Sequence, residues 1–479
     1  MNIGYVEREV LVKVVSKTKA VGQLEVQDAT SSTRSKRSLG FWMCTSLVVG
    51  NMIGSGIFLL PASLASYGGI SLVGWGLTAA GATCLALLFA RLASMVPREG
   101  GPYAYTRMAF GDFAGFWIGW GHWMSLWIGN AAISVALVSY LQGMFPILSE
   151  QRWLSGVVAL ALLWLITGVN TLGVKDAGIM QVITTICKLV PLLALLVFGF
   201  FRVDWQHFVP LNPSGKPPID AITAVAALTF WSFLGIESAT VPAGYVKDPA
   251  KTIPRATLLG ILITSLVYIL STTVIMGIMP LSRLGHSSAP YAEAAGLLWG
   301  SWASYALAIG AVISCLGALN GLMMMAGQVP MAVAQDGLFP RIFGRVSRQG
   351  VPVFALVLSS TLASLLLLLN YMGPGNLVEM FSFIILLGTL TSQIPYAFCA
   401  IAELILFFTR RDLFNGRRLF GSSMFSILAF VYSVWAIIGA GATTVLYGFV
   451  LLLLGLPVYA WIRKQQGEKV EGGTDEEAA

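Results

Sequence analysis

The chain has 479 residues, 56% of them hydrophobic and only 11% charged, with a formal net charge of +7. A soluble domain carries about a quarter charged residues, so lipid is the solvent for most of this chain, and a soluble enzyme or nucleic-acid-binding module is excluded. Cys44, Cys84, Cys187, Cys315 and Cys399 all lie inside apolar runs, which speaks against a disulfide or zinc framework.

Residues 1–40 mix charge with Ser and Thr without a sustained period, and Lys13 interrupts the apolar stretch of residues 10–15. This is neither a cleavable signal peptide nor a span, so a disordered cytoplasmic extension is expected. Residues 41–462 then read as an all-α polytopic membrane domain of about 12 transmembrane helices, each near the roughly 20 residues a bilayer requires. The first repeat covers 41–201, with spans at about 41–66, 70–96, 113–145, 154–171 and 178–201. The breaker-rich segment 97–105 reads as a cytoplasmic loop. The second repeat covers 221–408, with spans at about 221–243, 256–280, 294–334, 351–370 and 377–408. Two further spans fall at about 419–439 and 443–461, and residues 463–479 form a charged cytoplasmic tail. With the N-terminus inside, only Arg152, Arg202, Lys216 and Arg283 fall outside and Arg91 and Lys188 within spans; the rest of the 29 Lys and Arg lie on the cytoplasmic side. That asymmetry predicts cytoplasmic N- and C-termini.

The first span contains Asn51, Met52 and Ile53, followed by Gly54-Ser55-Gly56. Two glycines flanking a serine at membrane depth invite the helix to open, which hydrocarbon tolerates only where the freed backbone faces a cavity or a ligand. A mate is expected in the opposite repeat, and the sixth span supplies one in Trp231, Leu234, Gly235, Glu237 and Ser238. Gly50 and Gly54 also make a GxxxG, which alone indicates close helix packing. A half-helix starting after the break aims amides and its positive dipole end at the cavity, which suits a carboxylate. Carbonyls on the other side of the break suit an ammonium, so the pair of breaks reads as a receptor for an α-amino acid head.

Glu237 reads as the one carboxylate well inside a core helix, a rare and costly placement that suggests a protonation-dependent gate. Lys188 either snorkels to an interface or holds its ammonium where other carriers hold a metal cation. His122 is either a hydrogen-bonded core histidine or a group that titrates or stacks on substrate. Trp127, Trp231, Phe233 and Tyr396 either gate the site or pack between helices. No metal site, cofactor loop or hydrolytic constellation is legible, so no enzyme activity and no cofactor are expected.

In its segments GNMIGSGIFLLPASLASYGGI, GGPYAYTRMAFG, WIGN, WSFLGIESATVPAGYVKDPAKTIPRAT and AGQVPMAVAQDGLFPRIF, the chain resembles the amino acid–polyamine–organocation superfamily. Within it the chain is most similar to the basic amino acid/polyamine antiporters of the arginine/agmatine type. The resemblance implies a leucine-transporter-like fold of two inverted five-helix repeats, with helices 1 and 6 broken, plus two helices. It places the substrate carboxylate on Ser55 and the Gly56 amide, and the ammonium on the carbonyls of Met52, Trp231 and Leu234, with Ile53 in the same unwound stretch. The substrate side chain would face Asn51, Ser125, Leu126, Asn130 and Leu322, and Trp231, Glu237 and Tyr396 would gate. Three positions depart from that pattern. Leu322 stands where a tryptophan stacks on the guanidinium, His122 replaces a tyrosine, and Lys188 resembles a fifth-helix lysine of proton-coupled and exchange-type relatives.

The expected function is secondary-active transport of an amino acid or amine by alternating access in the bacterial inner membrane, as an amino acid/amine antiporter. The alternatives are a proton-coupled symporter of neutral amino acids and, remotely, a non-transporting membrane sensor. The expected partners are the small-molecule substrate and the lipid bilayer, with no nucleic acid; a homodimer is compatible with the sequence.

Overall fold

The structure, a computed structural model, describes residues 38–287, 289–373, 377–414 and 419–476. Among the described residues all regular structure is helical apart from one isolated bridge between Leu39 and Val246. Among the described residues ten helical segments are long and apolar enough to cross a membrane, and the segments Pro218–Phe233 and Met424–Gly439 are shorter apolar helices.

The first repeat comprises α1 (Phe41–Met52), α2 (Ser55–Leu64), α3 (Ile70–Met95), the short α4 (Pro102–Phe110), α5 (Asp112–Met144), α6 (Pro146–Glu150), α7 (Arg152–Leu172) and α8 (Val174–Phe200). The second comprises α9 (Pro218–Phe230), α10 (Pro249–Ile278), α11 (Leu281–Leu284), α12 (Pro290–Trp299), α13 (Ser301–Gln335), α14 (Val353–Met372) and α15 (Leu377–Thr409). The chain ends with α16 (Leu419–Gly439), α17 (Ala442–Leu453) and α18 (Gly455–Glu476).

Helix α8 shows why lipid is its solvent. Ile183, Ile186, Val190, Leu193 and Val197 recur at helical spacing and are exposed, whereas Gln181, Thr184, Thr185 and Lys188 on the other face are buried. An amphipathic helix in water presents the opposite pattern, so the polar face must serve the protein interior.

The packing repeats when each first-repeat span is exchanged for its second-repeat counterpart. The second span packs on the sixth (α3 on α9), and the seventh on the first (α10 on α1). The third packs on the tenth (α5 on α15), and the eighth on the fifth (α13 on α8). The third and eighth (α5, α13) and the second and seventh (α3, α10) pack on their own counterparts. Spans alternate in direction, and five is odd, so the second repeat starts from the opposite face and is inverted. Helices α16 and α17 lie outside this pattern, against α15, α3 and α5.

Four expectations need correction. Leu39 belongs to the fold: it is fully buried, its amide donates to Tyr245 O at 2.9 Å and its carbonyl accepts from Lys247 N at 2.9 Å. The rest of the expected extension, residues 1–37, lies outside the described residues. The segment after Arg98 is not a loop throughout, because Gly100 (φ 95°) and Gly101 (φ 51°) turn the chain into α4, where Pro102 takes a first-turn position that needs no amide donor. The eighth span is interrupted at Gly300 (φ 88°), a backbone conformation that favours glycine, giving α12 and α13. The helix of the last span continues as α18 to Glu476, through most of the expected tail; residues 477–479 lie outside the described residues.

Candidate functional site

The first span opens where its sequence loses the ability to hold a helix. The Gly54 amide bonds Met52 O at 2.9 Å instead of reaching back four residues to Gly50 O, and Gly54 sits at φ −127°, ψ −133°. The carbonyls of Gly50 and Ile53 are thereby released from helical pairing. Lys188 meets both: its Nζ donates to Gly50 O at 2.7 Å and Ile53 O at 2.5 Å, and Ser314 Oγ adds 2.9 Å to Ile53 O. The lysine is fully buried and does not snorkel. On the far side of the break α2 begins at Ser55, so the amides of Ser55 and Gly56 have no intrahelical acceptor.

The sixth span opens differently from expectation. Its α-helix stops at Phe230, 3₁₀ turns cover Trp231–Phe233 and Ala243–Tyr245, and no α-helix resumes before Pro249. Gly235 at φ 100° reverses the chain, and the hydroxyls of Ser238 and Thr240 bond the carbonyls of Gly235 and Glu237 at 2.5 and 2.7 Å. Such local bonds compete with a helix. Asn51 Nδ2 donates to Ser238 Oγ at 2.7 Å, tying the two breaks together.

Between the breaks lies a small cavity of about 20 Å³, room for about one water. Of the residues singled out in the sequence, Asn51, Met52, Ser55, Gly56, Ser125, Leu126, Trp231, Leu234, Glu237 and Leu322 line it. Gly235 of the sixth-span break lines it too, as do Gly129, Ile133 and Ser392, which were not anticipated. Ile53, Asn130, His122, Lys188 and Tyr396 do not reach it. Ile53 gives its carbonyl to Lys188, and buried Asn130 contacts Met323 Sδ at 3.9 Å.

Trp231 forms one wall of the cavity. Its Nε1 donates to Ser55 Oγ at 3.3 Å, and its ring lies where glycines leave room on three sides. A Cβ would stand 3.1 Å from it at Gly56, 3.1 Å at Gly388 and 3.7 Å at Gly129. Gly388→Leu is therefore expected to slow transport about tenfold or more, because overpacking costs roughly 1–3 kcal/mol. Initial uptake rates of this variant beside Gly388→Ala check it, and equal, unimpaired rates would remove the glycine slot from the account.

Glu237 is 2% exposed and held from two sides. The Tyr396 hydroxyl donates to Oε2, and His122 Nε2 lies 3.1 Å from Oε1. The His122 contact spans 115 residues of sequence, so no motif announced it. A second expectation fails here, because Glu237 is not the one carboxylate inside a core helix. Glu403 in α15 is 1% exposed and pairs with Arg91 of α3; an arginine inside a span was the available signal, since it requires a counter-ion.

Two larger cavities lie at opposite ends of α5 and α13, and neither shares a lining residue with the central one. One of about 590 Å³ is lined by Tyr140, Arg283 and Glu293. The other, about 900 Å³, holds Arg107, Asp112 and Asp336. Arg107 bridges the two aspartates at 2.9 and 2.6 Å, and the Tyr103 hydroxyl donates to Asp336 Oδ2 at 2.9 Å. Burial, and then the Asp336 carboxylate, raise the Tyr103 hydroxyl above the usual phenol range, so it stays a donor. Among the described residues no group of three or more His, Cys, Asp or Glu is placed to hold a metal ion.

The family model described as amino acid permease matches residues 39–461. The chain is 35% identical over 430 residues to the cadaverine/lysine antiporter of Escherichia coli, covering 89% of this chain and 95% of that protein. It is 30% identical to the putrescine transporter PotE of Haemophilus influenzae, covering 88% and 97% respectively. It is 29% identical to the arginine/ornithine antiporter of Pseudomonas aeruginosa, covering 93% and 95%.

Proposed function

Since the chain belongs to the amino acid permease family, a family of multi-pass membrane carriers and not of enzymes, we propose that it is an amino acid/amine antiporter that exchanges a basic amino acid for a related amine by alternating access. The observation that carries this reading is the small cavity between the two broken spans. Its walls offer helix-opening amides at Ser55 and Gly56 for a carboxylate, and among the described residues Glu237 is its only carboxylate, suited to a cation. Relatives at 29–35% identity are named for lysine with cadaverine, putrescine, and arginine with ornithine.

The cavity is too small for any amino acid as it stands, so binding requires Trp231 to leave Ser55. The substrate carboxylate takes the Ser55 hydroxyl and Gly56 amide, its ammonium takes the Met52, Trp231 and Leu234 carbonyls, and Asn51, Ser125, Leu126 and Leu322 border its side chain. The indole then closes over the ligand, and helices rock about the filled site to open the opposite face. The membrane is the bacterial inner membrane, with both termini in the cytoplasm as the positive-inside pattern places them. The arginine/agmatine pair is one candidate exchange, and a homodimer is a further part of this proposal.

Lys188 favours a second reading, proton-coupled uptake of neutral amino acids, because a buried ammonium occupies the break. Proteoliposomes loaded with cadaverine, agmatine, ornithine or buffer, and given labelled lysine or arginine, separate the two. Uptake that depends on an internal amine or basic amino acid supports exchange. Accumulation of a neutral amino acid in empty vesicles under a proton gradient would replace exchange with symport.

A further inference from the structure

Glu237 is the countercharge of the cavity, and an imidazole lies directly behind it. His122 is fully buried, its Nε2 is 3.1 Å from Glu237 Oε1, and its Nδ1 has no hydrogen-bond partner among the described residues. The other carboxylate oxygen is taken by the Tyr396 hydroxyl. Neither His122 nor Tyr396 lines the cavity, so both act on a ligand only through Glu237.

Resting on the exchange reading above, we propose that His122 and Glu237 form a charge-matching pair that sets which of the two exchanged substrates the site prefers. With a neutral imidazole donating from Nε2, the pair carries one negative charge. A proton on Nδ1, taken from water while the site is open, makes the pair neutral overall. A basic amino acid carries a net charge of one and its decarboxylated diamine a net charge of two. The anionic pair therefore favours the diamine, and the neutral pair shifts the balance toward the amino acid. Imidazole is the side chain whose charge ordinarily changes between pH 5 and 8, whereas the amines of both substrates and the carboxylate of the amino acid keep their charges from pH 5 to 7.

The surroundings leave this control with His122. From α15 the pair is faced by Tyr396 and by Cys399, whose Sγ is 3.8 Å from Thr106 Oγ1, and from α4 Tyr105 lies beside Cys399. From its own helix the Ser125 hydroxyl bonds the His122 carbonyl at 2.7 Å. Thr240 bonds the Glu237 carbonyl, and Lys188 is committed to the first-span carbonyls. Tyr105, Tyr396, Cys399, Ser125 and Thr240 bring no charge to the pair, and Lys188, the one cation among these groups, is held by backbone carbonyls and not by the pair.

The test uses the full-length protein in proteoliposomes and measures inhibition constants of cadaverine and lysine against labelled lysine exchange at pH 5 and pH 7. In the wild type the ratio of the cadaverine constant to the lysine constant is expected to rise about tenfold on acidification, a change worth one unit of charge pairing. In His122→Gln, whatever its rate, the ratio should stay within about twofold, since an amide does not titrate in this range. If that variant does not exchange, the same ratio is read by competitive binding in detergent, with His122→Asn as a second variant. A flat ratio in the wild type, or a shift that survives in either variant, overturns the charge-matching role while leaving exchange standing. Vesicles that exchange no basic amino acid for any amine overturn the exchange reading itself.

Discussion

Lys188→Met is expected to abolish transport, lowering initial exchange rates by about 10²-fold or more, because it leaves Gly50 O at membrane depth without a donor and Ile53 O with Ser314 alone, at roughly 1–3 kcal/mol for each bond lost. The argument begins with the backbone. Gly50 O and Ile53 O lose their helical partners where the first span opens, and Lys188 Nζ replaces them at 2.7 and 2.5 Å. Without the ammonium, the segment must either rewind, which closes the amide-lined side of the cavity, or admit water. Lys188→Arg is expected to fail as well, since a planar fork cannot occupy a space shaped for a compact ammonium. The check is exchange in proteoliposomes together with monodispersity in detergent. A well-folded Lys188→Met protein exchanging within about threefold of wild type would reduce the lysine to packing, because losing even one of the two bonds should cost more than that.

The parts of this molecule that were legible in its sequence are those in which local chemistry and tertiary role coincide. Gly54-Ser55-Gly56 cannot sustain a helix, and it lies where an unwound backbone is useful, so the first break was placed to within a residue. The span boundaries followed from hydropathy because bilayer thickness imposes a length. The sixth span was read as helical to residue 243 because its apolar run does not reveal that Ser238 and Thr240 bond their own backbone. Gly300 was missed for a related reason: a lone glycine in an apolar run is as compatible with close packing as with a break. Contacts across the chain were beyond reach. His122 and Glu237 were each singled out, yet nothing in their spacing joins them. The glycines that hold Trp231 come from three different spans, and only the fold shows that they share a task.

The other large effect concerns stability. Arg91→Met is expected to destabilise the protein by about 3–5 kcal/mol, the cost of stranding one member of a buried ion pair. Arg91 Nε and Nη2 donate to Glu403 Oε1 and Oε2 at 2.7 and 2.8 Å, and the carboxylate side chain is 1% exposed. Ser426 of α16 donates to the same carboxylate, and the guanidinium carbon lies 5.6 Å from the centroid of the Phe425 ring. The cluster thus joins α3 and α15 to α16, a helix outside the repeats. Removing the guanidinium leaves an anion in a region from which water is excluded; removing both charges does not, so Arg91→Met/Glu403→Leu is expected to recover much of the loss. Thermal unfolding in detergent of the two single variants and the double variant measures the coupling. Recovery in the double variant would show that the pair costs most when half removed. A double variant as unstable as the sum of the single changes would instead show that α3, α15 and α16 depend on the geometry of the pair, and not only on its charge balance.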